Sequence, residues 1–280
     1  MKRPHVHAVI YGFPGAKKST CASTFPTPIY VCNFDGRSKA GPYLRTGDKV
    51  EDSRTKDLGV PIQRVYDGKT LVAEIHHYQD PDPERPDAFG LFRQEQRNFD
   101  PTKWGTWVFD SVTSGELAAR LEQQFVINPN TKDPRQWFAG ATDQLERQLV
   151  RRATSYECNA VVICHITEEY VDVPASKDAP AKRIDKRVEF AERTNTEGDV
   201  TRTQLVRSIS APGRLSKRHA LISQYSECYR AYILFRDGKQ SWWLQTEPDE
   251  EWIANTQIPA PNPCTPDYDK LWSRADKTTR

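Results

Sequence analysis

Three features of this 280-residue chain predict an α/β fold: a mainly parallel central sheet flanked by helices, with an antiparallel strand extension in the C-terminal half. First, an apolar run at residues 6–11 enters a glycine-containing loop and then a helix-forming stretch. Pro26 and Pro28 must end that helix, because proline lacks the backbone donor and clashes with the preceding turn. Second, residues 29–34, 107–111 and 160–164 are short apolar runs of the kind buried on both faces. Helical patterns separate them, an alternation that builds parallel sheets. Third, strand-like runs at 203–210, 228–235 and 239–246 follow one another, and Asp237-Gly238 turns the last two into a hairpin.

Composition narrows the class. Hydrophobic content of 37% with 28% charged residues describes a soluble globular chain long enough to bury a proper core. A formal charge of +2 is too small to argue for nucleic acid, although a local basic face is compatible with it. No apolar run approaches the roughly 20 residues that cross a bilayer, so no membrane partner is expected. Met1-Lys2-Arg3-Pro4-His5 leads into a strand rather than a signal peptide. The six cysteines, Cys21, Cys32, Cys158, Cys164, Cys228 and Cys264, form no C-x-x-C pair, which points to reduced thiols, a cytoplasmic setting and no structural zinc. Cys164 and His165 are adjacent, but neighbours on a strand face opposite ways. The expected organisation is a domain over 1–247, with a charged loop or insertion at about 167–202, and a proline-rich tail over 248–280 with a short helix at 267–277.

The first loop carries the chemistry. Gly12-Phe13-Pro14-Gly15-Ala16-Lys17-Lys18-Ser19-Thr20 fits the Walker A pattern G-x-x-x-x-G-K-[ST] with one departure: Lys17 stands where the second glycine belongs. In that pattern backbone N–H groups and a helix N-terminus surround phosphates, the lysine meets the β and γ oxygens, and the hydroxyl reaches Mg²⁺. Gly12, Pro14, Gly15, Ala16, Lys17, Lys18, Ser19 and Thr20 are therefore the expected nucleotide contacts. The plainer alternative is a lysine-rich helix start. The strand at 29–34 closes on Asp35-Gly36; strand, helix, strand predicts a parallel pair, with ligands at the carboxyl strand ends. Asp35-Gly36 reads equally as a turn.

Residues 36–63 read as a polar surface excursion, 64–78 as a hairpin around Asp67-Gly68, 80–86 as a proline-rich loop, and 88–98 as a short helix. The run ending in Asp110 has the form of a Walker B element, whose aspartate holds the Mg²⁺ shell. Ser114 is the expected cap of a helix to about 125. The next helix sets Phe138, Ala141, Leu145 and Leu149 on one apolar face. The strand at 160–164 is expected to end at His165. Lys177, Lys182, Arg183, Lys186 and Arg187 then lie in a charged stretch that reads as a solvated insertion or as a DNA-facing loop.

Several strand ends thus converge. Lys18 is assigned to phosphate, Ser19 and Asp110 to Mg²⁺, Asp35 to the attacking water as catalytic base, and His165 to sensing the γ-phosphate. The alternative for His165 is a strand-end histidine bonded to backbone. Gly12-Phe13-Pro14-Gly15 with Lys18-Ser19-Thr20, the strand ending in Asp35, Val108-Phe109-Asp110-Ser111, the Trp137 helix, Val162-Ile163-Cys164-His165 and Ala211-Pro212-Gly213 resemble the phage-encoded RecA-like P-loop ATPases. These are AAA-domain nucleotide-binding proteins related to phage single-strand annealing ATPases. The resemblance covers most of residues 6–246.

The resemblance implies a RecA-like core in 1–247, ATP with Mg²⁺, single-stranded DNA as partner, and a role in phage recombination, repair or replication. It also implies homo-oligomers, with single-strand DNA-binding or other phage replication proteins as companions. A neighbouring subunit would supply a basic residue, here Arg214, Lys217 or Arg218. Loops after the fourth strand contact DNA in such proteins, which adds weight to a DNA-facing 171–202. Lys17 departs from the pattern: a side chain there clashes with phosphates or adds a second cation, so hydrolysis is expected to be slow. Two other readings stand beside this one: a degenerate ATPase acting as a DNA-binding or assembly module, and a nucleotide or small-molecule kinase. The kinase reading lacks an arginine-rich lid after a helix pair.

Overall fold

Local chemistry and long-range packing meet in one sheet. The computed structural model describes residues 3–36, 40–173, 190–194, 200–209, 221–249, 252, 254–258 and 260–272. In chain order these give β1 (His7–Gly12), α1 (Lys18–Ala22), β2 (Ile29–Asn33), β3 (Lys49–Arg54), β4 (Pro61–Asp67), β5 (Thr70–His77), α2 (Ala88–Arg97) and β6 (Thr106–Asp110). Then follow α3 (Val112–Glu122), α4 (Pro134–Leu145), β7 (Asn159–Val173), β8 (Phe190–Thr194), β9 (Val200–Ile209), β10 (Glu227–Arg236), β11 (Lys239–Gln245) and α5 (Tyr268–Leu271). Among the described residues no helix is long and apolar enough to cross a membrane.

The sheet runs β11-β10-β1-β7-β6-β2-β5-β4-β3, and the six strands from β10 to β5 are mutually parallel. Antiparallel strands extend it at both edges, and β8 and β9 add an antiparallel extension to the far end of β7. The fold is therefore mixed α/β with a large, mostly parallel sheet flanked by helices.

Both faces are covered, which is why the parallel strands are apolar without alternation. Val9, Tyr11, Cys32, Trp107, Phe109, Val162 and Cys164 face the side holding α2, α3 and α4, where Phe89, Phe92, Ala119, Leu145 and Leu149 meet them. Ala8, Ile10, Ile29, Val31, Val108, Val161 and Ile163 face the other side, packed by α1 and by Ile258, Ala260, Cys264, Tyr268 and Leu271 of the C-terminal segment. That segment is tied on by backbone bonds from Leu244 to Cys264 and from Cys228 to Asn255, and by an ion pair from Arg3 to Asp269. All six cysteines are free and buried.

Several expectations need correcting. β1 and β2 are parallel members of one sheet but not neighbours, because β7 and β6 lie between them; short-range order does not dictate which strands pair. The excursion at 36–63 contains β3 and the start of β4; the polar residues of β3 suit an edge strand that is exposed on both faces. β7 does not stop at His165 but runs to Val173, since Ile166 to Val173 find antiparallel partners in β9. The stretch 167–202 accordingly holds strand at 167–173, 190–194 and 200–202. α3 is capped by Ser111, whose hydroxyl accepts from the Ser114 amide, because the helix starts directly at the strand end. Phe138 is 43% exposed while Ala141, Leu145 and Leu149 are buried.

Candidate nucleotide site

Strand parity explains how distant residues meet. Gly12 pairs with His165, Ile163 with Asp110, and Asp110 with Asn33, so β6 and β2 end level with Ile163 and β1 ends two residues further on, beside His165. Side chains alternate across a strand: Val108 and Ile163 point to the α1 face, and so do Asp110 and His165, two residues further on. Cys164 points the opposite way into the other core. Asp35 is held just beyond β2 because its amide and that of Phe34 both donate to the Asp110 carbonyl. The Asp110–Ser111 peptide is cis.

These groups surround a cavity of about 660 Å³ whose lining includes Lys17, Lys18, Ser19, Asp35, Asp110 and His165. Pro14, Gly15 and Thr20 also line it, and Pro42 and Ser114 join them. Ala16 is buried beneath the loop instead.

At the departing position the loop passes through a left-handed residue. Lys17 adopts φ 57° and ψ 34°, the left-handed region glycine takes freely and other residues enter at a cost of about 1–2 kcal/mol. Its side chain turns aside onto an indole, with Nζ 3.4 Å from the ring centroid of Trp242 on β11. The Trp242 Nε1–H donates to the Gly15 carbonyl at 3.2 Å, and Gly15 itself has φ 82°. Gly12 is required for another reason: a Cβ there would lie 2.2 Å from the Ala231 carbonyl oxygen on β10. α1 spans only five residues, so its macrodipole is small, and the positive charges on the cavity wall are those of Lys17 and Lys18.

Lys18 is 6% exposed and uses all three donors. Nζ donates to the Gly12 and Phe13 carbonyls at 2.8 and 2.9 Å and to His165 Nδ1 at 3.3 Å. Burial lowers its pKa to about 8, against the opposing pull of Asp110, Cys164 and Asp35, so it is an ammonium at neutral pH. Burial and then the Lys18 charge push His165 below its usual value, with Asp35 opposing. The neutral ring accepts at Nδ1 and so carries its proton on Nε2, which faces Asp35 Oδ2 at 3.9 Å. Ser19 Oγ donates to Asp110 Oδ2 at 2.6 Å, and Asp110 is 2% exposed.

Lys18, Ser19, Asp35, Asp110 and His165 are thus brought together as the strand ends suggested. Sequence reasoning missed Trp242, Pro42 and Ser114. For Trp242 a signal was present: Trp242-Trp243 on a strand must send one indole to each face. Lys177, Lys182, Arg183, Lys186, Arg187, Arg214, Lys217 and Arg218 lie outside the described residues. No protein-family model matches the chain, and no curated protein matches it either.

Proposed function

We propose that the chain is an ATP-binding, slowly hydrolysing RecA-like P-loop protein that acts on single-stranded DNA in phage recombination, repair or replication. The nucleotide reading rests on one observation: Lys18, Ser19, Asp110, Asp35 and His165 line a single cavity large enough for a triphosphate. The parallel order β1-β7-β6-β2, which brings the ends of β1, β6 and β2 beside His165 within β7, supports it. The DNA and phage parts rest on the resemblance.

Ser19 Oγ and the buried Asp110 carboxylate form an oxygen-only pair, which fits Mg²⁺, a cation that takes one or two protein oxygens and keeps waters and phosphate oxygens as its other ligands. When bound, Mg²⁺ neutralises charge on the phosphates. Lys18 meets the phosphates by giving up one acceptor, most readily the longer bond to His165. His165 then turns from Lys18 to the terminal phosphate. Asp35, at the cavity wall, accepts a proton from the attacking water. Catalysis here is mainly positioning and charge stabilisation, and the engaged ammonium of Lys18 supports a slow rate.

The test is calorimetric ATP binding together with phosphate release for the wild type, Lys18→Ala and Asp110→Asn. Lys18→Ala is expected to lose roughly tenfold to a hundredfold in affinity, the worth of a charge-assisted hydrogen bond; Asp110→Asn should lose Mg²⁺-dependent turnover. Fast turnover that Lys18→Ala leaves unchanged would falsify the assignment. Single-stranded DNA binding should weaken steeply with salt, since phosphate contacts release counterions; a flat titration counts against the DNA partner. A degenerate ATPase serving as a nucleotide-insensitive DNA-binding or assembly module is the second reading, favoured by the three acceptors already on Lys18. It predicts that no phosphate is released and that ATP leaves DNA affinity and assembly unchanged.

A further inference from the structure

The glycine position of the loop is filled by a lysine that keeps the glycine backbone conformation. A side chain retained in that conformation needs a use, and the surroundings of Lys17 indicate one. Its Nζ lies 3.4 Å from the Trp242 ring centroid, while the same indole donates to the Gly15 carbonyl. One tryptophan on β11 therefore grips the phosphate loop twice, through its ring face and through its N–H. Lys17 itself lines the cavity with Lys18, Ser19 and Asp110.

Resting on the reading of this cavity as a triphosphate site, we infer that Lys17 is a second phosphate-binding cation and that Trp242 is the residue that positions it beside the loop. The relative strengths set the direction of exchange. A cation over an exposed aromatic face is held by about twofold to fivefold. A charge-assisted hydrogen bond to phosphate is worth roughly tenfold to a hundredfold. Bound phosphate therefore takes the Lys17 ammonium from the indole, and Trp242 loses the cation that covers it. The Gly15 bond keeps the ring at the loop during the exchange. The departure from glycine thereby adds a positive charge at the phosphates, at the cost of a strained backbone.

The experiment combines ATP titrations at several salt concentrations for the wild type, Lys17→Met, Lys17→Gly and Lys18→Ala with indole fluorescence of the wild type and Trp242→Phe. Lys17→Gly guards against misfolding, since glycine adopts the left-handed conformation freely. Both Lys17 variants are expected to bind ATP about tenfold more weakly, with a shallower salt dependence. The ATP-induced change in indole emission is expected in the wild type and lost in Trp242→Phe, a readout that a purely structural tryptophan would not move. Unchanged affinity and salt slope in both Lys17 variants overturn the inference, as does an emission change that survives in Trp242→Phe. If Lys18→Ala loses ATP while the Lys17 variants do not, this inference alone fails. If the wild type does not bind ATP, or Lys18→Ala binds as tightly, the site reading fails and takes the inference with it.

Discussion

Lys18 places a charge in a dry position. Burial lowers its pKa to about 8; on the proposed nucleotide reading, bound phosphate favours the ammonium and raises it again. Below pH 8 Lys18 is charged in both the free and the bound protein, so its contribution to affinity is constant. Above pH 8 the free protein loses the proton first, and ATP affinity falls, by up to about tenfold per pH unit until the bound pKa is passed. Calorimetry from pH 6.5 to 9.5 checks this; affinity level across the range removes Lys18 from the phosphates. Gly12 shows a different constraint. The backbone of β10 approaches to 2.2 Å from where a Cβ would sit, so Gly12→Ala should cost about 3 kcal/mol by denaturant unfolding. The motif pattern explains that glycine by phosphate approach, whereas the close contact is with Ala231.

At the scale of elements, α4 and the π-helical segment Glu146–Arg152 that continues it show how far periodicity reaches. The spacing of Phe138, Ala141, Leu145 and Leu149 identifies a helix and its apolar stripe, and three of the four are buried against the sheet. Phe138 lies at the edge of the stripe, with the Arg120 guanidinium 5.0 Å from its ring centroid. Leu145→Ala should therefore cost about 2–5 kcal/mol through the cavity it leaves, and Phe138→Ala no more than about 1 kcal/mol. Equal losses in urea unfolding would mean that Phe138 is core after all. The strands divide in the same way. β1, β2, β6 and the first part of β7 are legible because strands buried on both faces need continuous apolar runs. β3 and the distal half of β7 are not, because their polar residues are stabilised by pairing with β4 and β9, which no local pattern records.

Over the whole molecule, a second charged cluster lies away from the cavity. His76, 4% exposed, sits between Glu74 and Glu95, with the Tyr78 hydroxyl also donating to Glu95. Burial disfavours its charge, but hydrogen bonds and attraction to both carboxylates prevail and raise its pKa. A raised folded pKa stabilises the fold fully below the unfolded value of 6.5 and is lost as pH rises through the folded one. Thermal unfolding above pH 6.5 should show that loss, and Glu95→Gln should reduce it; identical pH slopes in the two proteins would refute the cluster's role. The sequence by itself determined the α/β class and singled out Lys18, Ser19, Asp35, Asp110 and His165, which line one cavity, because motif spacing and strand parity act over a few residues. Tertiary structure alone decided that β7 and β6 separate β1 from β2, that the C-terminal segment packs on the α1 face, and that Trp242 comes from more than 200 residues away to hold Lys17 and Gly15. Those outcomes depend on which buried surfaces fit one another across the chain, and that fit is settled only when the sheet is assembled.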